Sequence, residues 1–326
     1  MGPHELALLT LRRLVAAIPL VIGVVVVNFT LIQLAPGDPT TALIGDYPAP
    51  PGYVEQVRAE FGLDRPIPEQ LGRYLWQVGH GNLGYSFAHR KDVGELILER
   101  LPATLRLMLT ALAIAIVLGV GLGILAARRR DSPLDHGTRL FSMTGYSVPE
   151  FWLGQILILV FALGLDLLPS QGARSLRAPP EGFAAFLDGL RYLALPAFAL
   201  SLRYIALISR ITRASLLEVM NADYILASRA RGARERTVLL AHALRNAAPP
   251  IVTAIAYDFG FVLAGSALIE TVFGWPGIGR LLFESITRRD YPVMTAILLF
   301  VSLGVVLANL IADLFHAALD PRVRRP

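Results

Sequence analysis

Cysteine is absent from this chain of 326 residues, and lysine occurs once, at Lys91. Without cysteine the chain can form no disulfide, no thiolate metal site and no cysteine nucleophile. Because Lys91 follows Arg90 and not a glycine, the phosphate-binding pattern GxxxxGK[ST] is also missing, which excludes ATP binding in the Walker manner. The HExxH and GxSxG patterns are absent as well, and no two of the six histidines form a close pair that could bind a metal.

Charged residues are also scarce. They make up 17% of the chain, against about a quarter in soluble domains, while 54% of the residues are hydrophobic. The mean hydropathy of +0.55 suits a lipid environment better than water. A net charge of +5 could indicate a nucleic-acid partner, but basic residues at membrane borders produce the same excess. The composition therefore favours an integral membrane protein over a nucleic-acid-binding one.

Six stretches of the sequence are long and apolar enough to cross a bilayer core, which takes about 20 residues per helix. The first could also be a signal peptide, but it is longer than a usual signal core and the APGD sequence at 35–38 is a poor cleavage site. The predicted fold class is therefore an all-α integral membrane protein with six transmembrane helices. These helices are predicted at 14–35, 107–127, 141–165 (interrupted by Pro149 and Glu150), 192–208, 247–269 and 291–315.

The distribution of charge predicts the orientation. With the N-terminus in the cytoplasm, the inner segments 1–13, 128–140, 209–246 and 316–326 hold 16 arginines against 7 acids, a net charge of +9. The outer segments hold 13 basic residues against 15 acids, a net charge of −2. Because inner segments of membrane proteins are enriched in basic residues, both termini are predicted to be cytoplasmic.

The predicted helices divide the chain into three parts. Residues 1–35 form an N-terminal tail and the first transmembrane helix, 36–106 an extracytoplasmic loop or cap, and 107–326 a five-helix core. Two amphipathic stretches of the cap, 53–61 and 70–78, predict short helices. The aromatic residues of the cap argue against a disordered loop, which is normally poor in aromatics.

A cytoplasmic loop of the core, 209–246, contains a short helix with recognisable ends. Asp223 can accept backbone N–H bonds as an N-cap, and residues 224–231 then make about two helical turns. Gly232 follows where a helix stops, because glycine enters the left-handed conformation without strain. A second helical stretch is predicted from Arg234 towards residue 246.

This short helix carries a small apolar face with a basic flank. Tyr224, Ala227 and Ser228 share the face, Ile225 lies beside it, and Arg229 flanks it. Such a helix at the cytoplasmic surface can dock into a groove of another protein or lie on anionic lipid. The residues alone favour neither alternative over the other.

Charged residues also occur inside the predicted spans, where lipid makes them costly unless they pair or meet water. Arg203 and Asp313 are close to span ends, and we expect their side chains to snorkel to the interface. Asp258 lies deeper, and for it the lining of a polar cavity is an equal alternative. Glu150 is a further candidate for such a cavity or for pairing. In the second span, Gly119, Gly121 and Gly123 can permit close contact with another helix.

Short sequence strings occur in order along almost the whole chain. They are LAPGDP at 34–39, FGLDRP at 61–66, GNLGYS at 81–86, RLPATL at 100–105, SVPEF at 147–151, DYILASRARG at 223–232, RDYP at 289–292 and ALDPRVR at 318–324. Together they resemble the inner-membrane permease subunits of binding-protein-dependent ABC importers. Within that family the chain is similar to the B-type subunit of the dipeptide, oligopeptide and nickel group.

The segment that begins at Asp223 resembles the cytoplasmic EAA loop of this superfamily. Leu226, Ala227 and Ser228 stand where the general motif has Glu-Ala-Ala, with Gly232 in register, and the missing acid fits the peptide-type branch. Elsewhere, Asn82 replaces the aspartate usual in the outer-loop string. The resemblance implies that the helix couples this chain to an ATPase through Asp223, Tyr224, Ala227, Ser228, Arg229, Arg231 and Gly232.

The resemblance implies a type I importer permease core in a bacterial or archaeal plasma membrane. It implies a second, C-type permease, two ATPase subunits and an extracytoplasmic substrate-binding protein as partners. ATP is then expected on the ATPases, and no cofactor on this chain. Asp258, Gly260 and Gly265 become candidates for the translocation path or the interface with the second permease. The expected cargo is a dipeptide or oligopeptide, with nickel complexes, glutathione and sugars as alternatives.

Other classes of function remain open from the sequence. An intramembrane enzyme would need a reactive pair on facing spans, and Asp258 with Asp313 is the only such pair on offer. A passive membrane scaffold would not need the short cytoplasmic helix. Export is formally possible, but the folded outer loop and the family pattern favour import. The predicted function is therefore that of an importer permease without enzymatic activity.

Overall fold

A computed structural model describes residues 3–34, 64–86, 88–175 and 180–319, together with Gly52 and Glu55. Within those ranges it leaves aside the side chains of residues 3–14, 17, 31, 32, 34, 258–265, 309 and 311–319. Of the predicted helix at 53–61, all residues but Glu55 lie outside the described part of the chain. The predicted helix at 70–78 is present within a longer helix, Ile67–Gly79.

The described chain is helical nearly throughout, which agrees with the predicted fold class. In order, the helices are α1 (Pro3–Leu34), α2 (Ile67–Gly79), α3 (Val93–Arg128), α4 (Pro133–Ser147), α5 (Glu150–Leu157), α6 (Gly182–Met220), α7 (Asp223–Ala230), α8 (Glu235–Thr237), α9 (Leu244–Val272), α10 (Ile278–Arg288) and α11 (Tyr291–Leu319). The π-helical segments Ile158–Gly164 and Val238–Ala243 continue α5 and α8. An antiparallel hairpin of two short strands, β1 (Tyr85–Ser86) and β2 (Lys91–Asp92), precedes α3.

Four helices of the described part are long and apolar enough to cross a membrane, and the bent pair α4–α5 makes a fifth if it is one broken span. The four stretches are Val93–Arg128, Gly182–Met220, Glu235–Tyr257 and Tyr291–Ala308. The described apolar part of α1, Ile18–Thr30, is shorter. The predicted spans fall on helices, and the total of six transmembrane helices stays a prediction.

Two helices extend well beyond their predicted spans. α3 begins at Val93 and not at residue 107, with Asp92 capping its first turn by accepting a hydrogen bond from the Gly94 N–H at 2.8 Å. The end of the predicted 36–106 loop is therefore helical. α6 runs from Gly182 to Met220, whereas the sequence predicted a span at 192–208. Hydropathy detects only the apolar part of a helix, and it misses polar turns that continue the helix into water.

The predicted third span, 141–165, is not one helix. α4 ends at Ser147, and α5 starts at Glu150 after a bend of 103°. Proline disfavours helical geometry at the residue before it, and Val148 is accordingly extended, with ψ of 126°. The sequence indicated an interruption at Pro149 but not a turn of this size.

α6 is the central helix, because it packs against α3, α4, α5 and α9. Its contact with α3 is close. A methyl group at Gly119 would lie 2.8 Å from Cβ of Ile208, and one at Gly123 would lie 2.5 Å from Cβ of Thr212. The predicted role of these two glycines in close helix contact is confirmed. The same prediction is wrong for Gly121, whose added methyl group would meet nothing within 4 Å.

The two ends of α3 pack against different parts of the fold. At its start, Val93 belongs to a buried cluster with Ile278 of α10 and Val293 of α11. At its end, Ala127 belongs to a second buried cluster with Ile225 of α7. α7 therefore lies at one end of the bundle and α10 at the other, which agrees with their predicted placement on opposite sides of the membrane.

A buried carboxylate holds the turn between α9 and α10. Glu270 accepts a hydrogen bond from the Thr104 hydroxyl at 2.7 Å and another from the backbone N–H of Arg280 at 3.0 Å. The Thr104 hydroxyl oxygen in turn accepts from the N–H of Ile278 at 2.8 Å. The negative charge thus sits at the first turn of α10, where the helix dipole favours it, and it ties that turn to α3.

Candidate functional site

The short helix predicted in the 209–246 loop is present as α7, directly after the end of α6. Its N-cap residue is Ala222, with ψ of 145°, and no side chain caps the first turn. The predicted N-cap role of Asp223 is therefore wrong by one residue. The Asp223 carboxylate lies inside the first turn, where the helix dipole also favours a negative charge.

The end of α7 follows the prediction. Gly232 has a φ of +80°, and its N–H donates to the carbonyl of Arg229 at 2.9 Å. The N–H of Ala233 donates to the carbonyl of Ser228 at 3.3 Å, which completes a Schellman motif. An added methyl group at Gly232 would meet nothing within 4 Å, so the left-handed backbone alone makes glycine favourable there.

One side of α7 packs into the fold. Ile225 is fully buried in the cluster that holds Ala127 of α3 and Leu216 of α6. Ser228 is only 5% exposed, because residues three apart share a helix face and Ile225 points inwards. The prediction that Ser228 belongs to the docking face is therefore wrong.

The other side of α7 is open. Tyr224 is 47% exposed and Leu226 54% exposed, and the small side chains of Ala227 and Ala230 are exposed beside them. Tyr224 and Ala227 were predicted for this face, whereas the sequence reasoning missed Leu226 and Ala230. Ile225 was the available signal, because it is the β-branched residue of this helix and large apolar side chains are usually buried. The opposite side of the helix is then expected to be the open face.

Two arginines border the open face in different ways. Arg229 donates two hydrogen bonds to the carboxylate of Glu235, at 2.7 and 3.4 Å, and so ties α7 to α8. Arg231, the C-cap residue, is exposed and forms no ion pair with any residue in the described ranges. Arg229 therefore restrains the helix, while the charge of Arg231 is accessible to a partner.

A buried ion pair fixes the end of α6 that leads into α7. Asp135 of α4 is fully buried, and Arg213 of α6 donates to its two carboxylate oxygens at 2.5 and 2.8 Å. The backbone N–H of Asp131 donates to the same carboxylate at 3.0 Å. A bidentate arginine–carboxylate pair has a fixed geometry, so it fixes the orientation of α6 about its own axis relative to α4. The sequence reasoning missed this pair because its partners are 78 residues apart.

The charged residues of the predicted spans occur in different settings. Glu150 is the first residue of α5 and is partly buried, and Arg203 lies near the middle of α6. Because α6 continues beyond the predicted span end at 208, the expectation that Arg203 snorkels to the interface stays a prediction. Other predictions fall on side chains outside the described part of the chain, namely those of Asp258, Gly260, Gly265 and Asp313.

Residues 119–325 match the model of the binding-protein-dependent transport system inner membrane component, and residues 6–108 match the model of the N-terminal part of such membrane components. The chain belongs to this family of transport permeases. It is a multi-pass protein of the plasma membrane and a transport subunit, not an enzyme.

Curated relatives match the chain over nearly its full length. A peptide transport system permease protein of Brucella abortus (strain 2308) is 41% identical over 97% of this chain and 98% of its own length. The dipeptide transport system permease protein DppB of Escherichia coli (strain K12) is 39% identical over 96% of this chain and 98% of its own length. These identities confirm the resemblance on which the sequence analysis relied.

A solved structure shares the fold at lower identity. The inward-facing MetNI methionine ABC transporter is 20% identical, with a TM-score of 0.54 over 69% of this chain and 96% of the compared chain. This similarity shows a type I ABC permease fold. Membership of the family implies an ATPase and a substrate-binding protein as partners of the chain.

Proposed function

We propose that the chain is the B-type permease of an importer for dipeptides or oligopeptides. The observation that carries this proposal is the identity of about two fifths, over nearly the whole of both chains, to relatives named as peptide and dipeptide permeases. Their names favour peptides over nickel complexes, glutathione or sugars. In the proposed assembly this chain pairs with a similar C-type permease, and a substrate-binding protein docks on the outer side.

We further propose that α7 docks into a groove of an ATPase subunit on the cytoplasmic side, and that two such subunits bind and hydrolyse the ATP. The open face of α7 supports this, since Tyr224 and Leu226 expose apolar surface around the small side chain of Ala227. A knob of this kind fits a preformed groove, and covering it removes apolar surface from water.

The packing of α7 explains how a docked ATPase could move the permease. Because Ile225 is buried against Ala127 and Leu216, a displacement of α7 is transmitted to the ends of α3 and α6. The pair between Arg229 and Glu235 makes α7 and the start of α8 move together. The helix α7 is therefore joined to the transmembrane bundle by side-chain packing as well as by its covalent connection to α6.

Co-purification of the ATPase tests the docking. Ala227→Arg places a long charged side chain on the open face, and we expect it to release the ATPase while membrane insertion is unchanged. The matched control is Ala184→Arg, which adds the same side chain at an exposed alanine near the opposite end of α6. If α7 lies on anionic lipid, Ala227→Arg should be neutral or mildly favourable, because an added arginine is attracted to that surface. Full ATPase capture by Ala227→Arg would remove α7 as the coupling element.

A further inference from the structure

Two arginines project from a narrow exposed stripe on the part of helix α6 that is largely packed against other helices. Between residues 193 and 217 this helix exposes only Phe198, Arg203, Arg210 and Ala214. At 100° per residue, Arg203, Arg210 and Ala214 fall within about 40° of one another around the helix axis. Arg203, Arg210 and Ala214 therefore form a basic seam on a part of the helix that is largely packed on its other sides.

Arg203 lies inside the predicted span at 192–208. The pair between Arg213 and Asp135 lies at the predicted cytoplasmic border, since the 128–140 segment is an inner one. Arg203 is ten residues earlier in α6, or roughly 15 Å further from that border along the helix axis. Because a charged side chain inside a span is costly in lipid, we expect Arg203 to face water or protein.

An exposed tyrosine orders both guanidinium groups. The guanidinium carbon of Arg203 lies 4.9 Å from the ring centre of Tyr146, and that of Arg210 lies 5.8 Å from it. Arg203 also donates to the Tyr146 hydroxyl at 3.4 Å. Stacking on a ring leaves the edge of a guanidinium group, with its N–H donors, available to another ligand.

Neither arginine forms an ion pair with an acid in the described ranges. This contrasts with Arg213 on the same helix, whose charge is matched by Asp135. Glu150, at the bend between α4 and α5, interacts electrostatically with Arg203 and is partly buried. The seam thus presents two cationic groups with one carboxylate beside them.

We propose that Arg203 and Arg210, positioned by Tyr146, form a binding site for the carboxylate of a peptide on its way through the permease. The inference rests on the proposed function, because it requires a peptide cargo. Guanidinium groups bind carboxylates through paired, charge-assisted hydrogen bonds. The two arginines are seven residues apart, or roughly 10 Å along α6, so they form two successive positions along a path.

Protection of a single cysteine tests this site directly. The chain contains no cysteine, so Met143→Cys introduces a unique thiol one turn before Tyr146, at a position that is 70% exposed. In the assembled importer, we expect dialanine at about four times its dissociation constant to slow labelling of this thiol about fivefold. At that concentration only about one fifth of the sites are free, and only these react. Dialanine amide, which lacks the carboxylate, should not protect it. Equal protection by both peptides, or by neither, would overturn the proposal.

Arginine dependence is the second readout. We expect the double variant Arg203→Gln, Arg210→Gln to abolish the protection. In importer reconstituted into liposomes, the same variant should lower dialanine uptake per ATP hydrolysed about tenfold, because the charge-assisted hydrogen bonds are lost. Arg191→Gln, an exposed arginine near the start of α6, is the matched control and should behave as the wild type. Retained protection or uptake in the double variant would refute the site.

Two further results separate this site from its alternatives. Loss of the second permease from the complex of the double variant would assign the arginines to the permease interface instead, and the proposal would be wrong. A wild-type importer that takes up no dialanine would contradict the proposed peptide cargo itself. Uptake by the wild type with an unimpaired double variant would contradict only the carboxylate site.

Discussion

The Ser86 hydroxyl donates a hydrogen bond of 2.5 Å to the carboxylate of Asp290, which is 204 residues further along the chain, and both side chains are buried. Nδ1 of His89 lies 3.1 Å from the same hydroxyl. The bond joins the hairpin before α3 to the residue before α11. Two of the strings that carried the family resemblance, GNLGYS and RDYP, therefore meet in space.

This bond should contribute measurably to stability. Asp290→Ala leaves the buried Ser86 hydroxyl without its acceptor, so we expect the free energy of unfolding to fall by about 1–3 kcal/mol. The hairpin should also become more sensitive to protease. Thermal unfolding in detergent and limited proteolysis measure the two effects. Lys91→Gln, in the same hairpin, is the control, because it removes only the exposed ion pair with Glu99 of α3 and should change little. Equal effects of both changes would contradict the importance of the buried bond.

The close approach of α3 to α6 gives a second prediction. Gly123→Ala would place a methyl group 2.8 Å from the Ser209 carbonyl oxygen and even closer to Thr212, so the helices must separate. We expect a loss of about 1–3 kcal/mol in the free energy of unfolding. Gly121→Ala is the matched control two residues away, where nothing lies within 4 Å. It should be neutral or slightly stabilising, since alanine favours helix more than glycine does.

The turn between α9 and α10 gives a third prediction. A methyl group at Gly277 would lie within 2.3–2.4 Å of the Glu270 carboxylate, which is held by Thr104 and the start of α10. Gly277→Ala must displace this carboxylate from its hydrogen bonds, at a cost of about 1–3 kcal/mol. Gly189→Ala, at an open position of α6, should not destabilise. The thermal unfolding midpoint of Gly277→Ala should therefore be lower than that of Gly189→Ala. Similar midpoints would argue against the clash with the Glu270 carboxylate.

Sidedness can be tested because the chain lacks cysteine. Trp76 in α2 is 70% exposed, and Arg231 after α7 is exposed too. With an impermeant thiol reagent added outside intact cells, Trp76→Cys should react and Arg231→Cys should not. Labelling in opened membranes should reach both. Reaction of Arg231→Cys alone from outside would reverse the predicted orientation and invalidate ATPase docking at α7.

Much of the fold could be predicted because its signals are local. Apolar stretches of membrane length locate the helices, since each span must satisfy its own backbone in lipid. The end of α7 at Gly232 follows from the left-handed conformation that glycine adopts without strain. Close packing at Gly119 and Gly123 follows from the lack of a side chain.

The predictions failed where contacts between distant parts of the chain determine whether a residue is buried or paired. Ser228 is buried because Ile225 packs into a cluster built from α3 and α6, which the helix sequence does not reveal. The length of α6 was underestimated because hydropathy ended the helix at 208, whereas polar turns extend it to Met220. The pair between Asp135 and Arg213 could not be predicted, since nothing local links residues 78 apart in the chain.

The backbone at the end of α7 gives the last prediction. Gly232→Val forces a β-branched residue into a φ of +80°, at a strain of about 1–3 kcal/mol, although no atom crowds the site. The strain should unwind the last turn of α7 and disturb its open face. We therefore expect weaker ATPase capture and ATP hydrolysis without transport, while insertion is normal. Gly182→Val is the matched control, because Gly182 has a φ of +59°, is equally uncrowded and lies at the far end of α6. Both variants carry similar strain, so an equal loss of ATPase capture would indicate a general folding defect. A loss confined to Gly232→Val would localise coupling to α7.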